Sequence, residues 1–326
     1  MVADTQYSIR FTAPETAELA AEPVPAAELA PTQVAGHALV SLISSGTELS
    51  CYRGLIGRFP MGSGYACVFE VDAVGAQVSD LAPGARAFCM GAHQSYQRHE
   101  RAAVLPLPDG LAPECAVFAR LMGVPQATLV TTKARPPAQV LVTGLGLVGN
   151  LGAQVFSACG YEVIACDPDP ARREFASLAG LARVLDRVPV KEMEGRIELV
   201  LECSGHEAAA LDGCRVVRKG GEVVLAGVPW ERHTDLTAHE LLHTVFYRYV
   251  VLRSGWEWEL PQQASDFRTG SIFGNFAGAL KWLKEGRVRT GGLAEPRSPR
   301  DAQSVYQDLL HKRCEALTYM FDWSGL

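Results

Sequence analysis

Three glycines, Gly144, Gly146 and Gly149, stand between an apolar run, Val140-Leu-Val-Thr143, and a helical pattern from Leu147 to Cys159. That spacing makes a socket for a dinucleotide pyrophosphate. Gly144 permits a tight turn, Gly146 lets the backbone approach the phosphates without a Cβ in the way, and Gly149 lets the helix pack closely on the strand. Phosphate charge would rest on the free N–H groups and positive dipole end of the helix that opens at Leu147 and Val148. A second strand pattern, Glu162-Val-Ile-Ala-Cys166, ends on Asp167, about 20 residues past the glycines, where an acid grips the adenosine ribose hydroxyls. A carboxylate there repels a 2′-phosphate and argues for NAD. Arg172 and Arg173 would bind that phosphate if Asp167 turned away, which keeps NADP as the alternative; otherwise both are solvated on the next helix. Two further strand patterns, residues 197–202 and 222–226, are closed by Cys203-Ser204-Gly205 and by Gly227, small residues that complete the expected cofactor rim. His239-Glu240-Leu-Leu-His243 spells a zinc-protease signature. It falls between the fifth and sixth strand patterns with no third ligand downstream, so the reading here is chance spacing on a surface helix.

A parallel α/β sheet is needed to hold these residues, and the rest of the chain says what surrounds it. The 326 residues, 48% hydrophobic, exceed what one core usually holds, so two domains are expected. Short strand patterns at residues 6–12, 37–43, 66–73, 85–89 and 103–107 make an all-β segment, interrupted by an Ala/Pro/Glu-rich surface loop up to Pro31. Helical patterning from Pro113 to Thr131 leads to the Pro136-Pro137 break, after which β and α units alternate to about Trp258. The tail carries helical segments at 278–285 and 300–311 and a closing strand pattern at 316–321. The net charge of −6, with no basic stripe, excludes a nucleic-acid partner. Nine cysteines without a C-x-x-C pair read as reduced, small hydrophobes. The opening Met-Val-Ala-Asp-Thr-Gln lacks a signal-peptide pattern, and no apolar run reaches the ~18 residues that span a membrane, so a cytoplasmic protein is expected.

Specific stretches carry a family resemblance. Ser44-Ser-Gly-Thr-Glu-Leu-Ser-Cys-Tyr-Arg-Gly54 resembles the segment around the first zinc-binding cysteine of the medium-chain dehydrogenases/reductases. Gly64-Tyr-Ala-Cys-Val-Phe-Glu-Val-Asp-Ala-Val-Gly75 is similar to their G-H-E-x-x-G-x-V-x-x-V-G strand, and Ala82-Pro-Gly-Ala-Arg-Ala-Phe88 to the turn that follows it. The resemblance implies an α/β protein: a Rossmann doubly wound parallel sheet plus a β-rich GroES-like catalytic domain. The expected boundaries are 1–124 for the first part of the catalytic domain, 125–258 for the Rossmann domain and 259–326 for the return. Where zinc members carry cysteine this chain has Ser45, and where they carry His-Glu it has Tyr65 and Ala66. The third ligand would fall at 121–123, which offers no cysteine, aspartate or histidine, and the four-cysteine lobe is missing. Since Zn²⁺ needs deprotonated N, S or O ligands, no metal is expected. These variants look similar to a zinc-free branch that includes a bacteriochlorophyllide dehydrogenase and proteins of natural-product pathways.

Without zinc, side chains must handle the proton and the charge that accompany hydride transfer. By resemblance the cleft is lined by Ser45, Thr47, Tyr65 and His93. Thr47 matches the hydroxyl that passes a proton between substrate and water, the Tyr65 phenol would project where the metal would have been, and His93 has a ring suited to acid/base work. Each has a structural alternative, in a turn cap, a strand aromatic or a loop histidine. Glu48 and Glu70 are left aside. Arg313, before the last strand, would reach the pyrophosphate or lie free. The expected function is a zinc-independent, NAD-linked alcohol/ketone oxidoreductase acting on a sugar, cyclitol or biosynthetic intermediate. An enoyl or quinone reductase and a cofactor-binding pseudoenzyme stand as alternatives. The family also implies a homodimer that extends the Rossmann sheet near residues 249–254.

Overall fold

A computed structural model describes residues 5–24 and 28–326. The first residues, on which the leader reading rests, and part of the Ala/Pro/Glu-rich stretch lie outside the described residues. The chain divides into two compact units, one running to Arg120 and resuming over Thr290–Leu326, the other Leu121–Arg289.

The first unit is β-rich. Its larger sheet runs in the order Ala294–Arg297, Thr318–Asp322, Gln33–Leu42, Cys67–Val74, Arg86–Cys89, Val104–Pro106, with Tyr96–Glu100 also pairing Gln33–Leu42. A smaller antiparallel sheet joins Thr16–Pro23, Thr5–Ala13 and Met61–Gly62. The strand Thr16–Pro23 replaces the first half of the loop expected before Pro31. Its Ala and Glu content carries little β preference, and pairing with Thr5–Ala13 through a turn at Pro14-Glu15 fixes it instead. Phe11, Tyr52, Phe69, Tyr306 and Phe321 fill the core of this unit. Helix α1, Ser45–Tyr52, lies against that core, burying Glu48, Ser50 and Tyr52.

The second unit is a parallel sheet of six strands among the described residues: β1 (Gln139–Thr143), β2 (Glu162–Cys166), β3 (Val184–Leu185), β4 (Ile197–Glu202), β5 (Val217–Leu225) and β6 (Val251–Ser254), in the order β3-β2-β1-β4-β5-β6. β1 and β4 read as continuous apolar runs because helices cover both of their faces. The strand order reverses between β1 and β4, and open α/β sheets bind ligands outside the strand ends at such a point. Helix α2, Leu147–Ala158, leaves that end of β1, while α3, Glu207–Val216, and α4, Ala238–Arg248, follow β4 and β5.

The return to the first unit comes at Thr290, later than expected. Helix α5, Ile272–Lys284, stays with the nucleotide half because Phe276, fully buried, lies where a Cβ on Gly123 would be 2.4 Å from its ring. Gln154 then clasps Arg289 through both backbone groups, at 2.7 and 3.0 Å. All nine cysteines are free thiols, four of them buried and five half-buried.

Candidate active site

At the carboxyl end of β1 the three glycines do separate jobs. Gly144 turns the chain at φ +80°, and a Cβ there would meet Ser204 N at 2.6 Å. A Cβ on Gly149 would stand 1.8 Å from the Gly144 carbonyl oxygen, so α2 can start where it does only without one. A Cβ on Gly146 would touch nothing within 4 Å. Gly146 and Val148 are half-exposed at the open end of α2, whereas Leu147 is buried. The cradle therefore has the open space and free N–H groups that a dinucleotide pyrophosphate requires.

The rim is drawn together by one carboxylate. Glu202, 1% exposed, accepts N–H bonds from Ser204 at 2.7 Å and Gly205 at 3.0 Å, and also the Ser204 hydroxyl. Burial pushes its carboxyl above the ordinary range, against the pull of those donors. Cys203 N–H donates to the Thr143 carbonyl at 2.8 Å, and Gly227 N–H to the Glu202 carbonyl at 2.7 Å. Gly144, Gly149, Cys203, Ser204 and Gly227 thus lie together at the carboxyl end of the sheet, with Gly146 open beside them. Asp167, also expected there, is buried and pinned: its carboxylate accepts Leu145 N–H at 2.6 Å and Asp169 N–H at 2.8 Å. Arg172 lies 3.5 Å from that carboxylate, and Arg173 donates to the Asp167 and Pro168 carbonyls at 2.8 Å. Arg313 is taken up by Asp308 at 2.8 Å within the first unit.

In the first unit the turn into α1 meets the start of the strand Cys67–Val74. The Tyr65 phenol, half-buried, lies near the hydroxyls of Ser44 and Thr47, whose influence draws its titration down. The Arg120 guanidinium, 5% exposed, lies 4.7 Å over the Tyr65 ring. Burial, and after it the Glu48 charge, hold the phenol above the usual tyrosine range, with Arg120 and the two hydroxyls opposing. Ser45 is half-buried at the first position of α1.

His93 departs from expectation. The sequence suggests a loop imidazole open to substrate, but the ring is 0% exposed and packs edge-on against Phe321. Its Nε2 donates to Glu48 at 2.9 Å and its Nδ1 lies 2.7 Å from Ser41 Oγ, which in turn accepts the Trp323 indole N–H at 2.9 Å. Gly64 admits it, since a Cβ there would be 2.5 Å from the ring. Glu48 also accepts Ser44 N–H at 2.7 Å and the Tyr306 hydroxyl at 2.6 Å. Sequence reasoning set Glu48 aside and did not single out Arg120; the available signal was an arginine inside the apolar run Val117-Phe-Ala-Arg-Leu-Met122.

The H-E-x-x-H segment is helical, as α4, and its glutamate is already used. Glu240 closes a capping box with Thr237, and His239 and His243 stand 5.8 Å apart as tilted rings. Among the described residues no group of three or more His, Cys, Asp or Glu is placed to hold a metal, and no helix is long and apolar enough to cross a membrane.

Comparison with known proteins matches residues 148–259 to the zinc-binding dehydrogenase family. Sorbitol dehydrogenase of Bacillus subtilis is 23% identical over 236 residues, 59% of this chain and 67% of that protein. Alcohol dehydrogenase of Geobacillus stearothermophilus is 28% identical over 148 residues, 43% of this chain and 44% of that protein. The fold of galactitol-1-phosphate dehydrogenase from Escherichia coli superimposes with a TM-score of 0.81 at 18% identity, over 97% of this chain and 99% of that one. The fold is that of the medium-chain dehydrogenases. Family match and relatives together support the medium-chain, zinc-binding dehydrogenase superfamily. The region matched by the family model lies wholly in the nucleotide unit. It contains neither Ser45 nor Tyr65, where this chain departs from the metal-ligand pattern that the resemblance implies.

Proposed function

We propose that this protein is a zinc-independent, NAD-linked oxidoreductase. It moves hydride between nicotinamide and an alcohol or ketone carbon of a hydroxylated small molecule, of the polyol class that its relatives' names carry. The observation that supports this most is the Tyr65 phenol beneath the buried Arg120 guanidinium, 4.7 Å over its ring, where zinc members place a ligand.

Bound NAD would supply the hydride donor or acceptor. The open end of α2 would hold the pyrophosphate, and Asp167 would take the adenosine ribose. Two backbone N–H groups keep Asp167 from turning away, which supports NAD over NADP. With its titration raised, Tyr65 is a neutral phenol at pH 7 and suits giving a proton to the substrate oxygen as charge grows there. Half-exposed Thr47 relays replacement protons.

Zinc has no part in this reading. Ser45 and Tyr65 offer protonated oxygens and Ala66 a methyl group, and the guanidinium 4.7 Å from the Tyr65 ring repels a dication. The homodimer reading is supported by β6, which ends the six-stranded order, and by exposed Leu242, Phe246, Tyr247, Tyr249 and Val251 around it.

Metal analysis and NADH consumption with ketone and enone panels test the proposal. Ketone turnover in metal-free protein is expected, and Tyr65→Phe should lower kcat by about 10²- to 10⁴-fold with NADH affinity unchanged. Stoichiometric zinc whose removal abolishes turnover, or a fully active Tyr65→Phe, would refute it.

A further inference from the structure

Tyr65 has a buried cation over its ring and a buried anion near enough for its charge to be felt. Arg120 covers its ring at 4.7 Å. Glu48, 3% exposed, closes the turn that carries Ser44 and Thr47 by accepting Ser44 N–H at 2.7 Å. Its second oxygen is held by His93 at 2.9 Å and Tyr306 at 2.6 Å. A carboxylate seldom stays in a core unless paired and bonded in this way, and a change of either partner leaves the other uncompensated.

Building on the reading of Tyr65 as proton donor, we infer that Glu48 and Arg120 are opposed positioning residues. Glu48, clamped by His93 and Tyr306, fixes the turn that carries Ser44 and Thr47 beside the phenol, and Arg120 meets the negative charge left on the ring when the proton departs. The step balances without another redox partner. The carbonyl carbon gains hydride from reduced nicotinamide, the carbonyl oxygen gains the phenol proton, and the phenolate regains one from water through Thr47. In effect, a guanidinium over the ring and a carboxylate behind the neighbouring turn supply the electrostatics that zinc-dependent relatives draw from a metal.

The charged and titratable groups around Tyr65 are Glu48 and Arg120, with His93, Tyr306 and Cys51 gathered about Glu48. The two main charges oppose each other, so their removal has opposite signs. Removing the anion eases loss of the phenol proton, and removing the cation hinders it. Ultraviolet titration of tyrosinate, each protein minus the same protein carrying Tyr65→Phe, isolates this phenol and needs no substrate.

Glu48→Gln is expected to lower the Tyr65 midpoint by about one pH unit and Arg120→Met to raise it by a similar amount, whereas Arg120→Lys leaves it near the wild-type value. The alkaline limb of kcat/KM for ketone reduction should move with each midpoint. Midpoints that stay together, or move in one direction, overturn the inference. Should Glu48→Gln fail to fold, Arg120→Met alone must still raise the midpoint, and an unchanged value overturns it. Failure of the donor reading shows separately, as full activity in Tyr65→Phe.

Discussion

Two alanine substitutions three residues apart should separate ligand contact from packing in the nucleotide cradle. At Gly146 the new methyl meets no protein atom within 4 Å, and the backbone, at φ −59°, already suits alanine. The fold should be untouched, and the methyl should instead occupy the space reserved for phosphate oxygens. If the cost resembles overpacking, about 1–3 kcal/mol, NADH binding weakens roughly 5- to 150-fold. At Gly149 the methyl lies 1.8 Å from the Gly144 carbonyl oxygen. Strand turn and helix must part by roughly 1.5 Å to reach ordinary contact. Here the apo-protein itself loses stability, and for a unit of this size each kcal/mol lowers the melting temperature by about 2–4 °C. Melting curves with and without NADH read both effects. In wild type, ligand at 100 times Kd adds about 2.7 kcal/mol. Gly146→Ala should keep the apo melting point and lose between about a third and nine-tenths of the ligand-induced rise, while Gly149→Ala should melt early even without ligand. Wild-type NADH affinity in Gly146→Ala would refute the assignment of the cradle.

Other outcomes follow from particular contacts. Glu240→Ala should lower the melting temperature slightly and leave turnover and metal content unchanged, because its carboxylate closes a capping box; loss of turnover would revive a metal role for His239 and His243. Asp167→Ser removes the acceptor of two backbone N–H groups and the repulsion of a 2′-phosphate, so NADH affinity should fall about tenfold and the NADPH-to-NADH ratio of kcat/KM should rise. On the proposed function, ketone reduction requires Tyr65 with its proton on. Because its titration is raised, activity should persist to pH values above the ordinary tyrosine midpoint of about 10 and fall as pH passes the raised value; a limb well below 10 contradicts this. Val251→Arg on β6 should release monomers in light scattering if that edge joins two copies.

The glycine turn and the strands around it are legible because their information is local. A glycine turn, an apolar strand and an acid at the next strand end follow one another in the chain, and the sheet only assembles them. Tyr65 was legible as a departure inside a recognisable strand. His93 was misread because Gly91-Ala-His-Gln-Ser95 has the composition of an exposed loop, and only the missing Cβ of Gly64, far away in sequence, lets the ring turn inward. Arg120 acquires meaning from the ring beneath it, a contact across 55 positions that no spacing announces. The segment 259–289 looked like part of the return because helical periodicity does not say which core a helix joins. Phe276 and Gln154 decide that.

The strand Thr318–Asp322 sits between Ala294–Arg297 and Gln33–Leu42, so the sheet that carries Tyr65 draws on both ends of the described chain. During synthesis the nucleotide half, being contiguous, is able to fold while this strand is still inside the ribosome. The β-rich half must wait with a gap beside residues 33–42. On the proposed function, a nascent chain would acquire its dinucleotide socket before it acquires chemistry, and stalling late in translation would leave a binder without turnover.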